Sequence, residues 1–339
     1  MDSINNIINF VFPPLALYGL FVFYPIYQRL KSAVSICRNV FSENVAGKVV
    51  LITGAASGIG EALAYEYGKK GAYLALVDIR DEPLFHVAAL AELYGSPEVI
   101  PIVADVSKLH DCERFIQATV LHFGRLDHLV TNAGVAPLYL FEDIEDLSKA
   151  APAMVNLLRP KISVKKICFL LIAVIFFSPQ DINFWGSVYC TFFASSHLKK
   201  SSRGKIVVIA SGCGYIASPR LSFYCASKAA VIAFYETLRS EFGSKVGVTI
   251  VAPGVVDSEM TQGKFMTKNG QFIVDKELRN VQISLLPVES AERCAKAILR
   301  SVCRGDRYLL EPAWISCAIL WKVFCSEVTD SLGRWLVMG

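Results

Sequence analysis

Tyr224 and Lys228 stand four residues apart, and Ser211, thirteen residues before the tyrosine, closes an apolar run. On a helix, side chains at i and i+4 share one face. The Lys228 ammonium is therefore expected beside the Tyr224 hydroxyl, where a positive charge favours the ionised phenol. A group that ordinarily titrates near 10 then becomes a usable proton acceptor close to neutrality, and a neighbouring serine can hold the oxygen whose proton moves. Taken alone, Tyr and Lys at this spacing are more often a surface pair, and a strand-end serine more often caps a turn. The spacing of the three residues, and the elements that would have to position them, reverse that judgement.

From Lys48 onward, short β-branched runs alternate with helical patterns, as in a parallel sheet covered on both faces. Val49 to Thr53, Tyr73 to Val77, Val99 to Val103, Leu126 to Thr131, Lys205 to Ala210, Val246 to Val251 and Arg307 to Leu310 read as seven strands. The expected fold is α/β: a doubly wound, Rossmann-type, parallel seven-stranded sheet in a single domain. Directly after the first strand, Thr53-Gly54-Ala55-Ala56-Ser57-Gly58-Ile59-Gly60 opens a helix. Its glycines allow a tight turn and close backbone approach to a pyrophosphate at the helix N-terminus. Gly-x-x-x-Gly-x-Gly is wider than the usual fingerprint, and the strand before and helix after separate it from a bare loop. Asp78, eighteen residues past Gly60, ends the second strand where an acidic group would bond ribose hydroxyls. A 2′-phosphate there would meet repulsion of about 4 kcal/mol at contact distance, which favours NAD(H). NADP(H) stays the alternative: Arg80 can swing in, although no basic residue stands at Ser57. Asp105 and Val106 are expected to end the third strand, and Asn132-Ala133-Gly134 follow the fourth, at the carboxyl ends where such sheets bind ligands. Glu289 to Cys303 reads as a helix stopped by Gly305, and the irregular stretch Val255 to Leu286 as a lid over the ligand.

At 339 residues the chain suits one large domain with extensions. The hydrophobic share of 53% against 19% charged is apolar for a soluble protein, so part of it must lie outside the core. A net charge of +4, from 34 basic and 30 acidic residues, gives no sign of a nucleic-acid stripe but leaves a membrane surface open. Ten scattered cysteines, without a Cys-x-x-Cys pair or a histidine at ligand spacing, read as free thiols in a reducing compartment, with no metal. Ile7 to Tyr27 is almost uninterrupted apolar sequence, broken by Pro13, Pro14 and Pro25. It lacks a basic leader region and a cleavage site, and Arg29, Lys31 and Arg38 follow it, as at an anionic cytoplasmic surface. Residues 1–45 are therefore expected to form a retained signal-anchor, a proline-bent hairpin or interfacial segment, with one tilted spanning helix as the other reading. Residues 46–312 form the Rossmann domain. In 313–339, Trp314, Trp321, Phe324 and Trp335 mix with charges, which fits an interfacial amphipathic tail and equally a last helix docked on the core.

Thr53-Gly-x-x-x-Gly-x-Gly60, Asn132-Ala-Gly134, Ser211, Tyr224-x-x-x-Lys228 and Pro253-Gly254, in this order, resemble the short-chain dehydrogenase/reductase family from about Lys48 to Tyr308. Within it the chain is most similar to the plant 11β-hydroxysteroid dehydrogenase-like proteins called steroleosins, whose proline knob Pro13 and Pro25 match. The resemblance implies NAD(P)-dependent hydride transfer on the CH–OH group of a steroid or sterol. It also implies attachment to oil bodies (lipid droplets) or the endoplasmic reticulum membrane with the catalytic domain in the cytosol, and a homodimer joined through the helices carrying Asn183 and Tyr224. It assigns Tyr224 as general acid/base and Lys228 as ligand of the nicotinamide ribose that tunes the phenol. Ser211 would hold the substrate oxygen and Asn183 order a relay water. It adds Pro253, Gly254 and Val256 to the cofactor site. For Asn183 the role rests on Asp181-Ile-Asn-Phe-Trp-Gly186 resembling the family's central helix; a helix-start residue is the other reading.

One stretch departs from the family pattern, in which Ala151-Pro-Ala-Met154 would run directly into Asp181-Ile-Asn183. Residues 155–180 look inserted; they carry Arg159, Lys161, Lys165, Lys166 and an unbroken apolar run, Ile167 to Phe177. That run is shorter than the roughly 20 residues a bilayer span needs. A valine codon begins GT, a glutamine codon can be CAG, and the frame is kept, so the segment reads as a retained intron. As translated protein it would lie beside the site, a contact, an aggregation liability or a dip into the anchor's membrane. Two functions compete: a membrane-anchored NAD(H)-dependent hydroxysteroid dehydrogenase, and an oil-body coat protein whose dehydrogenase fold the insertion has disabled. A soluble sugar or fatty-acyl reductase fits the anchor poorly, since fold does not fix substrate.

Overall fold

The structure is a computed structural model and describes residues 42–140, 142, 181–267, 272–283 and 287–338, with positions 18, 19, 22, 23, 26, 29 and 30. The expected insertion lies outside the described residues, as does most of the expected anchor. Two compact units divide the chain, Met1–Glu43 and Asn44–Gly339. In the first, the seven described positions between 18 and 30 are helical, with Tyr18, Phe23 and Leu30 exposed. Among the described residues no helix is long and apolar enough to cross a membrane.

The second unit is built on strands β1 (Val49–Thr53), β2 (Tyr73–Asp78), β3 (Val99–Val103), β4 (His128–Thr131), β5 (Lys205–Ile209), β6 (Gly247–Pro253) and β9 (Tyr308–Glu311). They form one parallel sheet in the order β3-β2-β1-β4-β5-β6-β9. Every residue of β1 is buried, as is all of β4 and most of β2, β5 and β6. This is why these strands are unbroken apolar runs rather than alternating ones. Helices α1 (Gly58–Gly68) and α2 (Asp81–Leu93) cover one face with α7 (Ala291–Arg304); α3 (Leu109–Phe123), α4 (Ser187–Lys200) and α5 (Ser222–Phe242) cover the other. Tyr67, Leu84 and Ile298 fill the first core, and Phe115, Leu198 and Tyr235 the second. Strand order reverses between β1 and β4, and such a switch point opens a crevice beyond the strands' carboxyl ends.

Observed strand ends differ from the sequence reading by two residues at most. Asp105 and Val106 do not end β3, which stops at Val103; they fall in the turn before α3. α7 starts two residues later than expected because the Ser290 hydroxyl accepts the Arg293 amide (3.3 Å) as its cap, and Gly305 (φ +71°) ends it. The irregular stretch after β6 contains a small antiparallel hairpin, β7 (Lys264–Met266) with β8 (Phe272–Val274), followed by α6 (Lys276–Ile283). Its neck is closed where the Asp257 amide donates to Glu289 O (2.7 Å) and the Glu289 amide to Val255 O (2.9 Å). At the chain's end stand α8 (Ile315–Phe324) and α9 (Ser326–Met338). Ile315 is buried against Gly254 and Gly212, and Lys322 Nζ donates to Tyr215 O (2.5 Å), so α8 docks on the core. Trp314 and Trp321, 42% and 60% accessible, face outward.

Candidate active site

A cleft of about 590 Å³ opens at the carboxyl ends of β1, β2, β4, β5 and β6. At one end lies the glycine turn. Gly54 and Gly58 have φ of +65° and +60°, which L side chains rarely adopt. Gly60 is excluded from substitution by contact: a Cβ there would stand 2.1 Å from Gly54 O and 2.6 Å from Asn132 Nδ2. Asn132 donates both amide hydrogens to the turn, to Thr53 O (3.0 Å) and Gly54 O (2.9 Å). It therefore shapes the turn as well as lining the cleft. Thr53, which sequence reasoning passed over, receives the Asn132 and Ala133 amides on its hydroxyl (3.0 and 3.2 Å) and ties the ends of β1 and β4 together.

Asp78 is buried at the end of β2, as expected. One carboxylate oxygen accepts the Ala56 amide (3.0 Å), and the other accepts the amide and Nε of Arg80 (3.1 and 3.2 Å). Arg80 is thus already turned inward, with Nη2 on Ser57 Oγ (2.8 Å) and Nη1 on both carboxylate oxygens of Glu259 (3.0 and 2.9 Å). The absence of a basic residue at position 57 is offset by this guanidinium. Burial alone would lower the pKa of Arg80, but Asp78 and then Glu259 hold it above its ordinary value. Asp105, 7% accessible, accepts the amide and hydroxyl of Ser107 on Oδ1 (3.0 and 2.7 Å), while its buried Oδ2 has no hydrogen-bond partner.

At the other end, α5 carries Tyr224 and Lys228 on one face, and the close approach of the turn Gly212–Gly214 to that helix brings in Ser211. A Cβ on Gly214 would stand 3.0 Å from the Lys228 carbonyl, so only glycine lets the turn sit there. Ser211 caps this turn through the Cys213 amide (3.1 Å) and stands near enough to Tyr224 to favour its ionised form. The turn-cap reading of the serine is thus seen, and the residue also lines the cleft. Asn183 sits in a π-helical turn, Asp181–Gly186, not a regular helix start. Its amide accepts the Val135 amide (2.8 Å) and donates to Val135 O and Ser227 Oγ (both 3.0 Å), clasping the segment after β4 to α5. Val106 packs against Gly186, and Ala133, Gly134, Pro253, Gly254, Val256 and Ile59 line the cleft with the groups above. Also lining it are Ser258, Met260 and Thr261 from the stretch after β6, for which sequence offered no signal beyond a lid.

The electrostatics differ from expectation. Lys228 is 4% accessible, donates to Ile209 O (2.9 Å) and lies 5.8 Å from the centre of the Tyr224 ring. Burial lowers it to about 8. Tyr224 is not drawn down: burial, then the charge of Cys213, push the phenol well above its ordinary value, against which the Ser211 hydroxyl acts. Desolvation of the phenolate outweighs a cation held toward a backbone carbonyl.

A family model described as short chain dehydrogenase matches residues 48–159 and 175–269, passing over 160–174. The chain is similar to 11-beta-hydroxysteroid dehydrogenase-like 6 of Arabidopsis thaliana, 78% identical over 339 residues, covering 100% of this chain and 91% of that protein. It is likewise similar to 11-beta-hydroxysteroid dehydrogenase A of Sesamum indicum, 44% identical over 339 residues, covering 100% and 89%. Among solved structures it resembles a short chain dehydrogenase/reductase from Burkholderia phymatum in complex with NAD, with a TM-score of 0.66 at 20% identity over 84% of this chain and 96% of that one. At that identity the likeness speaks for the fold.

Proposed function

Because the chain belongs to the short-chain dehydrogenase/reductase family, we propose that it is a nicotinamide-dependent oxidoreductase interconverting a hydroxyl and a keto group of a steroid or sterol. The observation that carries this reading is the meeting of Tyr224, Lys228 and Ser211 in the cleft that the glycine turn also lines, with Asn183 buried behind its wall, clasped to Val135 and Ser227. The residues suit a dinucleotide. Gly54, Ser57 and Gly58 line the cleft with a tight turn that holds only because Gly60 has no Cβ to meet the Gly54 carbonyl and Asn132, and Asp105 Oδ2, without a hydrogen bond and 3.7 Å from Lys108 Nζ, offers an acceptor for a ligand N–H. Gly54, Ser57, Gly58, Ile59 and Gly60 would hold the pyrophosphate, Asp78 the adenosine ribose, Asp105 and Val106 the adenine. Asn132, Ala133, Gly134, Pro253, Gly254 and Val256 would line the nicotinamide side. When bound, the nicotinamide takes or gives the hydride, and its oxidised ring brings a positive charge that opposes the desolvation of a phenolate.

On the protein's side, Tyr224 takes or returns the proton of the substrate oxygen, and Ser211 holds that oxygen by a hydrogen bond. Lys228 binds the nicotinamide ribose and leaves its present carbonyl partner in part to do so. Asn183 fixes the helix end facing the pair. Asp78 supports NAD(H) over NADP(H). The apolar, proline-broken N-terminal sequence and its resemblance to the steroleosin anchor are the grounds for attachment to an oil body or the endoplasmic reticulum membrane, with this unit in the cytosol, and the family resemblance alone is the ground for a homodimer. The test is turnover of a panel of steroids and sterols with NAD(H) and NADP(H), with Tyr224→Phe as control. That substitution is expected to lower kcat by about 10²–10⁴, and an unchanged rate would refute the site. A second reading, a coat protein with a disabled dehydrogenase fold, is favoured by the break in the family match at 160–174. It predicts no turnover of the full chain with either cofactor.

A further inference from the structure

The cleft's β2 end carries four formal charges that cancel. Asp78 and Arg80 belong to the rim of the sheet, Glu259 and Lys264 to the stretch after β6, and all four line the cleft. Glu259 is the hub: its carboxylate receives Arg80 Nη1 (2.9 and 3.0 Å) and Lys264 Nζ (2.7 Å). From this geometry we infer that Glu259 decides which dinucleotide the cleft accepts, its carboxylate holding on Arg80 and Lys264 the place that a phosphate on the adenosine 2′-hydroxyl would otherwise take. The inference rests on the dinucleotide reading above and deepens it.

A guanidinium presents the same planar donors to a carboxylate and to a phosphate, so the two compete for one partner. Arg80 cannot serve both by moving away, because its amide and Nε are fixed on Asp78 and its Nη2 on Ser57 of the glycine turn. Glu259 remains ionised at neutral pH: burial pushes its carboxyl up, but the Lys264 hydrogen bond and the Arg80 charge more than reverse this. Its side chain is 44% accessible, so solvent screens the competition and the effect is moderate. Asp78 alone would repel a 2′-phosphate; Glu259 adds to that by withholding the two cations that could compensate.

Calorimetric titration of the full chain with 5′-AMP and with 2′,5′-ADP tests this without turnover. Glu259→Gln is expected to tighten 2′,5′-ADP by about tenfold and leave 5′-AMP within about twofold, as loss of one competing charge-assisted bond would. Glu259→Asp, which keeps the charge, should leave the selectivity in place, and Arg80→Met combined with Glu259→Gln should cut the gain to the smaller part that the freed Lys264 supplies. The ratio of kcat/KM for NADP(H) over NAD(H) should rise in step with the first variant. A Glu259→Gln protein that binds 5′-AMP normally but gains nothing for 2′,5′-ADP, or gains equally without Arg80, overturns the inference alone. Failure of every form to bind either nucleotide overturns the dinucleotide reading and this inference together.

Discussion

At the scale of single residues, the site is governed by the cost of hiding charge. Lys228 is almost fully buried, with one backbone carbonyl as its hydrogen-bond partner, and burial brings it from 10.5 to about 8. The unfolded chain therefore keeps this proton up to about pH 10.5, while the folded chain releases it near 8. Below 8 both forms carry the charge and folding bears the full desolvation penalty. Between the two values the folded state binds fewer protons, so stability rises with pH, and above 10.5 the effect is complete. The contribution amounts to about 3 kcal/mol. Thermal unfolding followed from pH 7 to 10 should show Lys228→Met stabilised over the parent chain at neutrality, and the difference should close as pH rises. A difference that stayed constant would mean that folding leaves this proton's affinity unchanged, the lysine keeping its charge in the folded chain as in the unfolded one. The same burial explains why the Tyr224 phenol is raised by its surroundings, so any lowering must come from what binds beside it.

At the scale of elements, positions are set by contacts too close for side chains. Gly60 sits in the first turn of α1 where the Gly54 carbonyl and the Asn132 amide converge, and an added Cβ would overlap both. Gly60→Ala should lower stability by about 1–3 kcal/mol, seen as a lower Tm, and should weaken dinucleotide binding more than tenfold, because the turn must open to admit the methyl. Normal nucleotide affinity in this variant would separate the turn from the cofactor. Such local rules were legible in the sequence: β1, β2 and β5 are runs of Val, Ile and Leu because both their faces are buried, and Tyr224 and Lys228 share a face because they are four apart. Long-range pairings were not. Glu259 meets Arg80 across 179 residues of sequence, and only the fold brings them together. The hairpin of β7 and β8 is three residues a side, too short for an alternating pattern to emerge. Asn183 reads from sequence as a residue of the family's central helix or as a helix start, and nothing in Asp181-Ile-Asn-Phe-Trp-Gly186 signals the wider π turn. The expected lowering of Tyr224 failed because spacing says where a cation stands but not how dry its neighbour is.

At the scale of the whole molecule, the question is whether residues 155–180 belong to the working protein. The family model resumes at 175 after passing over 160–174, so the match on both sides continues as if the intervening chain were extra. Every partner in the clasp that brings the two flanks together lies outside it: Val135 before, Asn183 and Ser227 after. The segment also holds four basic residues and no acidic one, as many charges as the chain's entire net +4. A protein made from a message lacking it would carry no net charge, would have an isoelectric point well below 8.4, and would weigh less than 37.3 kDa. Intact-mass measurement and isoelectric focusing of the native protein should find the shorter, more neutral form if the segment is a retained intron. The recombinant chain without 155–180 should fold with the clasp unchanged, stay monodisperse in light scattering because an eleven-residue apolar run is gone, and turn over substrate at least as fast as the full chain. Should the native protein show the full mass, the intron idea fails, and turnover of the two forms then decides the segment's role. Loss of activity on deletion would make 155–180 part of the substrate mouth, and activity gained would make it a brake on an otherwise complete dehydrogenase.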